Sequence, residues 1–147
     1  MKKFSLFCII LLTCTPLFAQ DKPKPLEPQA QVDLFFKGLV EGRVDAAYDG
    51  LLAGTKIGEA AKDVAMLKEK TREAIRVFGD MSGAEKIDVR NVGTRLQKIT
   101  SLSLGKRFPI RWRFYFYKAE ENWQLIDIRI DDRLGDMFEE AAPVPAK

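Results

Sequence analysis

The residues able to do chemistry in this chain are few, and their types narrow the options before any fold is considered. The sequence has 147 residues, no histidine, and two cysteines, Cys8 and Cys14, both close to the N-terminus. Without histidine there is no Ser-His-Asp triad, no imidazole metal ligand and no histidine pH switch. Carboxylates, lysines, tyrosines and hydroxyls remain. Among them Asp127 is the candidate general base, because Trp123 and Leu125 beside it could raise its pKa as proton abstraction requires. Asp45 and Asp49 stand four residues apart around Tyr48, a spacing that places both carboxylates on one helical face, with Tyr48 a candidate proton-transfer helper. Each has a plainer reading: a surface salt bridge for Asp127, a solvated helix face for the pair.

Gly50-Leu51-Leu52-Ala53-Gly54-Thr55-Lys56 superficially resembles a phosphate-binding loop. Its glycines are too close together and its lysine follows the threonine, so the backbone cradle cannot form. Lys106, Arg107, Arg111 and Arg113 are interleaved with aromatics, as in nucleic-acid grooves. Overall charge and export argue against that partner. No metal and no cofactor is expected.

Export is read from the first residues. Met1-Lys2-Lys3 is basic, Phe4 to Leu12 is apolar, and Thr13-Cys14-Thr15-Pro16-Leu17-Phe18-Ala19 leads to a small residue before Gln20. This is the pattern of a secretory signal peptide cut between Ala19 and Gln20. The apolar run falls short of the roughly 20 residues that span a bilayer, so no stable membrane insertion is expected. Leu11-Leu12-Thr13-Cys14 resembles a lipoprotein box, but Thr13 stands where a small residue is needed, which argues against anchoring through Cys14. Cleavage of 19 residues leaves 128, with 22 bases against 21 acids and neither cysteine. A near-neutral domain has no electrostatic reason to seek nucleic acid or anionic lipid. Exported, to the periplasm or beyond, without disulfides, it must be held by its core.

The elements that position these residues follow from periodicity. After the signal (1–19) comes a proline-rich tether (20–28), then one domain (29–139), then a loose tail (140–147). Val32, Phe35, Phe36, Leu39 and Val40 form one helical stripe, and Val44, Ala47, Tyr48, Leu51 and Leu52 a second. A longer third helix is predicted from about Gly58 to Phe78. The period then changes to two. Strands are predicted around Ile87–Asn91, over Leu96–Leu104, and across the hairpin Phe108–Tyr117 and Trp123–Ile130, with a last short helix through Leu134, Met137 and Phe138.

The hairpin has two faces. Phe108, Ile110, Trp112, Phe114 and Phe116 share one with Ile126, Ile128 and Ile130, the predicted core. The other carries Arg111, Arg113, Tyr115, Tyr117, Trp123, Leu125, Asp127 and Arg129. Aromatics with arginine are favoured at interfaces, so Arg113, Tyr115, Tyr117, Trp123 and Leu125 make up the predicted homodimer or partner face.

Three helices, then an antiparallel sheet with the hairpin Pro109-Ile110-Arg111-Trp112-Arg113-Phe114-Tyr115-Phe116-Tyr117-Lys118 and Trp123 to Asp132, then a closing helix, resemble the nuclear-transport-factor-2-like superfamily, in particular its small exported bacterial members. The resemblance covers roughly Gln29 to Phe138. It implies an α+β fold: helices on a curved antiparallel sheet of about four strands, a cone-shaped roll with a pocket at its open end. Such a pocket would be lined by Tyr48, Trp112, Phe114 and Ile128 and would take a small apolar ligand. Related enzymes of that fold, steroid isomerases, dehydratases and epoxide hydrolases, place an Asp or His inside the cone. No residue here matches such a motif. The expectation is therefore a non-catalytic binding domain, with a cofactor-free lyase or isomerase as the alternative.

Overall fold

A computed structural model describes residues 26–140 of the chain. The cleavage site Ala19–Gln20, Cys14, most of the tether and the tail beyond Glu140 lie outside the described residues.

Helix α1 (Pro28–Val40) opens on a proline in its first turn and buries Val32, Phe35, Phe36 and Leu39. Val40, predicted on the same stripe, is 42% exposed, because the ninth residue of the stripe has rotated off the buried arc. Gly42, at φ 72°, lets the chain reverse into α2 (Val44–Leu52), whose five stripe residues are all buried. Gly38 makes the α1–α2 crossing possible, since a Cβ there would lie 2.8 Å from the Cβ of Ala47. The predicted third helix is two: α3 (Lys56–Glu59), capped by the Thr55 hydroxyl, which accepts from the Gly58 N–H at 3.1 Å, and α4 (Ala61–Phe78). The break falls at Ala60.

Four strands follow: β1 (Met81–Val92), β2 (Leu96–Gly105), β3 (Ile110–Ala119) and β4 (Asn122–Asp131). They form an antiparallel meander in the order β1-β2-β3-β4, and α5 (Gly135–Glu140) closes the described chain. The predicted α+β class and strand number hold. β1 starts six residues before its apolar signal at Ile87, and Ile87 and Val89 are 43% and 40% exposed.

The core lies between the sheet and the first two helices. Trp112 and Phe114 are fully buried and stacked, with centroids 6.3 Å apart. Phe35 meets Trp112 edge-on at 5.4 Å and Tyr48 at 5.1 Å, and Phe36 meets Phe114 at 5.7 Å. Edge-to-face contacts of this kind add about 0.5–1.5 kcal/mol per pair to the burial of the rings. The Trp112 indole N–H donates to Ser103 Oγ at 2.9 Å, so the ring buries no unpaired polar atom.

Pairing of β3 with β4 decides which residues enter that core. Trp112 opposes Ile130, Phe114 opposes Ile128 and Tyr115 opposes Asp127, as the parity of the hairpin predicts. The ladder then slips: Phe116 opposes Leu125, leaving Ile126 as the extra residue of a β-bulge. One extra residue inverts the alternation beyond it. Leu125, predicted on the outer face, is therefore a core residue at 1% exposure, and Ile126, predicted inside, is 50% exposed. Phe108, also predicted inside, precedes the strand, is 38% exposed, and packs on Phe78 at 5.6 Å. The bulge makes a direct prediction for urea unfolding. Leu125→Ala should cost about 2–5 kcal/mol, whereas Ile126→Ala should stay within about 1 kcal/mol. Equal losses at the two sites would contradict the observed register.

Candidate functional site

Inside the roll, the residues predicted to line a pocket are packed against one another. Tyr48, Trp112 and Phe114 each have 0% exposure, and Ile128 is half-buried against the same cluster. The Tyr48 hydroxyl lies 2.7 Å from Thr71 Oγ1, and Thr71 is the buried residue of α4. Burial pushes the Tyr48 phenol up to about 12, against a smaller opposing effect of the hydrogen bond to Thr71. A phenol so held is a fixed neutral group near neutral pH.

The clefts of the surface lie elsewhere. One of about 290 Å³ runs between α1 and β1, from Gln29 and Asp33 to Ser82 and Lys86. Another of about 470 Å³ lies between the end of α1, α4 and Met81, and one of about 660 Å³ between α2 and α4. Tyr48, Trp112, Phe114 and Ile128 line none of these three.

The other acid–base candidates also lie apart. Asp127 points outward, 43% exposed, and accepts from Arg129 Nε at 2.9 Å. The Arg129 guanidinium in turn sits over the Tyr115 ring at 5.3 Å. Asp45 and Asp49 do share the surface of α2, but each faces a cation of α4: Asp45 pairs with Arg72 at 2.6 Å, Asp49 with Lys68 at 2.5 Å. The hydrogen bond from Arg72 holds the Asp45 carboxyl below its ordinary value. These are solvated pins between two helices. Gly50–Lys56 is the end of α2 and the capped start of α3. Among the described residues, no group of three acids, histidines or cysteines converges as a metal site.

The outer sheet face is ordered in rows by the register. Val92, Leu96, Tyr117 and Gln124 form one row, and Arg90, Lys98, Tyr115 and Asp127 the next. Asp88, Thr100, Arg113 and Arg129 follow, then Leu102, Arg111 and Asp131. Of the predicted partner face, Tyr117 is 39% exposed and Tyr115 half-buried, while Trp123 leans on the core and Leu125 belongs to it.

Sequence reasoning missed the ion cluster at the far end of this face. Arg111, predicted on an open face, has 0% exposure and donates through Nε to Asp131 Oδ1 at 2.9 Å. Arg113 Nη2 donates to Asp131 Oδ2 at 2.6 Å, and Asp136 of α5 approaches Arg111 at 3.4 Å. Desolvation alone would raise the Asp131 carboxyl, but Arg111 and Arg113 together hold it below its ordinary value. The only signal in the sequence was the alternation of Arg111 and Arg113 opposite an aspartate, which becomes a cluster once the register is known.

Helices on one side of a four-stranded antiparallel meander, with a short helix behind it, make this an α+β roll of the nuclear-transport-factor-2-like type. A solved structure from Campylobacter jejuni, provisionally described as an NTF2-like transpeptidase, superposes with a TM-score of 0.51 over 68% of this chain and 97% of that one, at 14% identity. No family model matches the chain, and no curated protein matches it with significance. At that identity the likeness carries the fold.

Burial of Tyr48 has a consequence for stability. The folded chain keeps this proton where the unfolded chain loses it, so the contribution is intact below about pH 10 and lost as pH rises towards 12. Alkaline melts should show a loss of about 2–3 kcal/mol across that window. Tyr48→Phe should flatten it. An equally steep decline in the phenylalanine variant would refute the assignment.

Proposed function

We propose that this chain is exported, loses residues 1–19, and works as a non-catalytic domain that binds a protein partner, most simply a second copy of itself. One observation carries the choice of binding over catalysis. The side of the sheet facing α1 and α2, where the resemblance implies that enzymes of this fold hold substrate, is filled here by Phe35, Phe36, Tyr48, Trp112 and Phe114. An apolar small molecule would have to displace side chains from that cluster, so a partner on the outside is the better-supported occupant. The lyase or isomerase reading needs a carboxylate near Tyr48, and Asp127 looks the other way.

The surface for a partner is the row Val92, Leu96 and Tyr117, exposed by 71%, 40% and 39%, with Tyr115 beside it. Contiguous exposed apolar groups on a β-face, rimmed by arginine and lysine, have the composition of an interface. No helix among the described residues is long and apolar enough to cross a membrane. At 14% identity, the description of the similar structure says nothing of this chain's activity.

The mature chain should elute as a dimer in light scattering at high protein concentration. Tyr117→Asp or Leu96→Asp should return it to a monomer with an unchanged circular-dichroism spectrum. A wild-type chain monomeric at every concentration tested excludes the second copy, and saturable stabilisation by an apolar ligand would then restore the pocket reading. For export, the intact mass of the extracytoplasmic protein should fit a chain beginning at Gln20. A mass retaining residues 1–19, or carrying lipid on Cys14, would overturn that part.

A further inference from the structure

On the outer face, Thr100 and Arg113 oppose each other across β2 and β3. Thr100 is 4% exposed, yet its Oγ1 has no hydrogen-bond partner among the described residues. The Nε of Arg113, equally shut off, has none either. A hydroxyl and a charged N–H thus stand unpaired at neighbouring positions of one row. Buried polar groups are almost always satisfied, so two adjacent exceptions need a cause.

Charge narrows what fits between them. The Asp131 carboxylate is divided between Arg111 and Arg113, which leaves Arg113 only part of a counter-charge. An acceptor that takes the Arg113 Nε–H and the Thr100 hydroxyl proton together, and brings negative charge, would complete both groups. Asp88 and Asp127 lie in this row and the next, and Asp131 borders them. Three carboxylates so near would repel a dianion, and one guanidinium edge with one hydroxyl suits a planar monoanion.

We propose that the Thr100–Arg113 pair is a carboxylate-binding site on the outer sheet face. The Arg113 side chain, 15% exposed and tethered by its Nη2 bond to Asp131, is the door through which the group enters. The occupant is a carboxylate supplied by a separate molecule. The site does not depend on the dimer proposed above.

The test follows the Arg113 Nε–H and Thr100 amide resonances in the mature chain. Acetate is titrated against chloride and phosphate at matched ionic strength. Acetate should shift both resonances saturably and phosphate should not. Thr100→Val should weaken that response at least about tenfold, the effect of losing one hydrogen bond to a charged group, and Arg113→Lys should abolish it. Resonances unmoved by acetate would mean that water satisfies the pair and would overturn the proposal. Equal response to phosphate, or an undiminished response in Thr100→Val, would overturn it too.

Discussion

The structure depends on one packed cluster: two phenylalanines of α1 and Tyr48 of α2 set edge-on against Trp112 and Phe114 of β3. With no cysteine among the described residues, apolar burial has to hold helices to sheet, and aromatic side chains carry the largest share per residue. The same cluster occupies the side of the sheet that faces α1 and α2.

Polar groups inside the roll follow from that filling. Tyr48 pairs with Thr71, and Trp112 with Ser103, so each large ring enters the core with its one hydrogen-bonding group satisfied. Two charge clusters tie elements together: the pins between α2 and α4, which are weak, and the cluster around Asp131, where Arg111 is wholly buried. The second is the costlier arrangement, because a buried guanidinium stripped of its partners would be strongly unfavourable. It ties the end of β4 and the start of α5 to the middle of the sheet.

The bulge at Ile126 links these two halves. It brings Leu125 under the aromatic cluster while Asp127 and Arg129 stay outside. A regular hairpin with the same end would put Leu125 in solvent and Ile126 inward. Bulges also sharpen strand twist.

The sequence by itself determined the class, the order of helices and strands, most of the buried stripe on α1 and all of it on α2, and the outward direction of Asp127. Those follow from local periodicity, since period 3.6 and period 2 are properties of a segment alone. It could not locate the break at Ala60, the early start of β1, or the switch of Leu125 and Ile126, because breaks and bulges depend on what the neighbouring element offers. Only the tertiary structure decided whether the roll is hollow. Tyr48, Trp112, Phe114 and Ile128 would line a pocket or fill it with the same types and spacing; the difference is how closely α1 lies on β3, a distance between elements far apart in sequence. Pairing across strands likewise decided that Arg111 and Arg113 share Asp131, and that Thr100 faces Arg113. Electrostatic and hydrogen-bonding sites are properties of register, and register is set by the whole sheet.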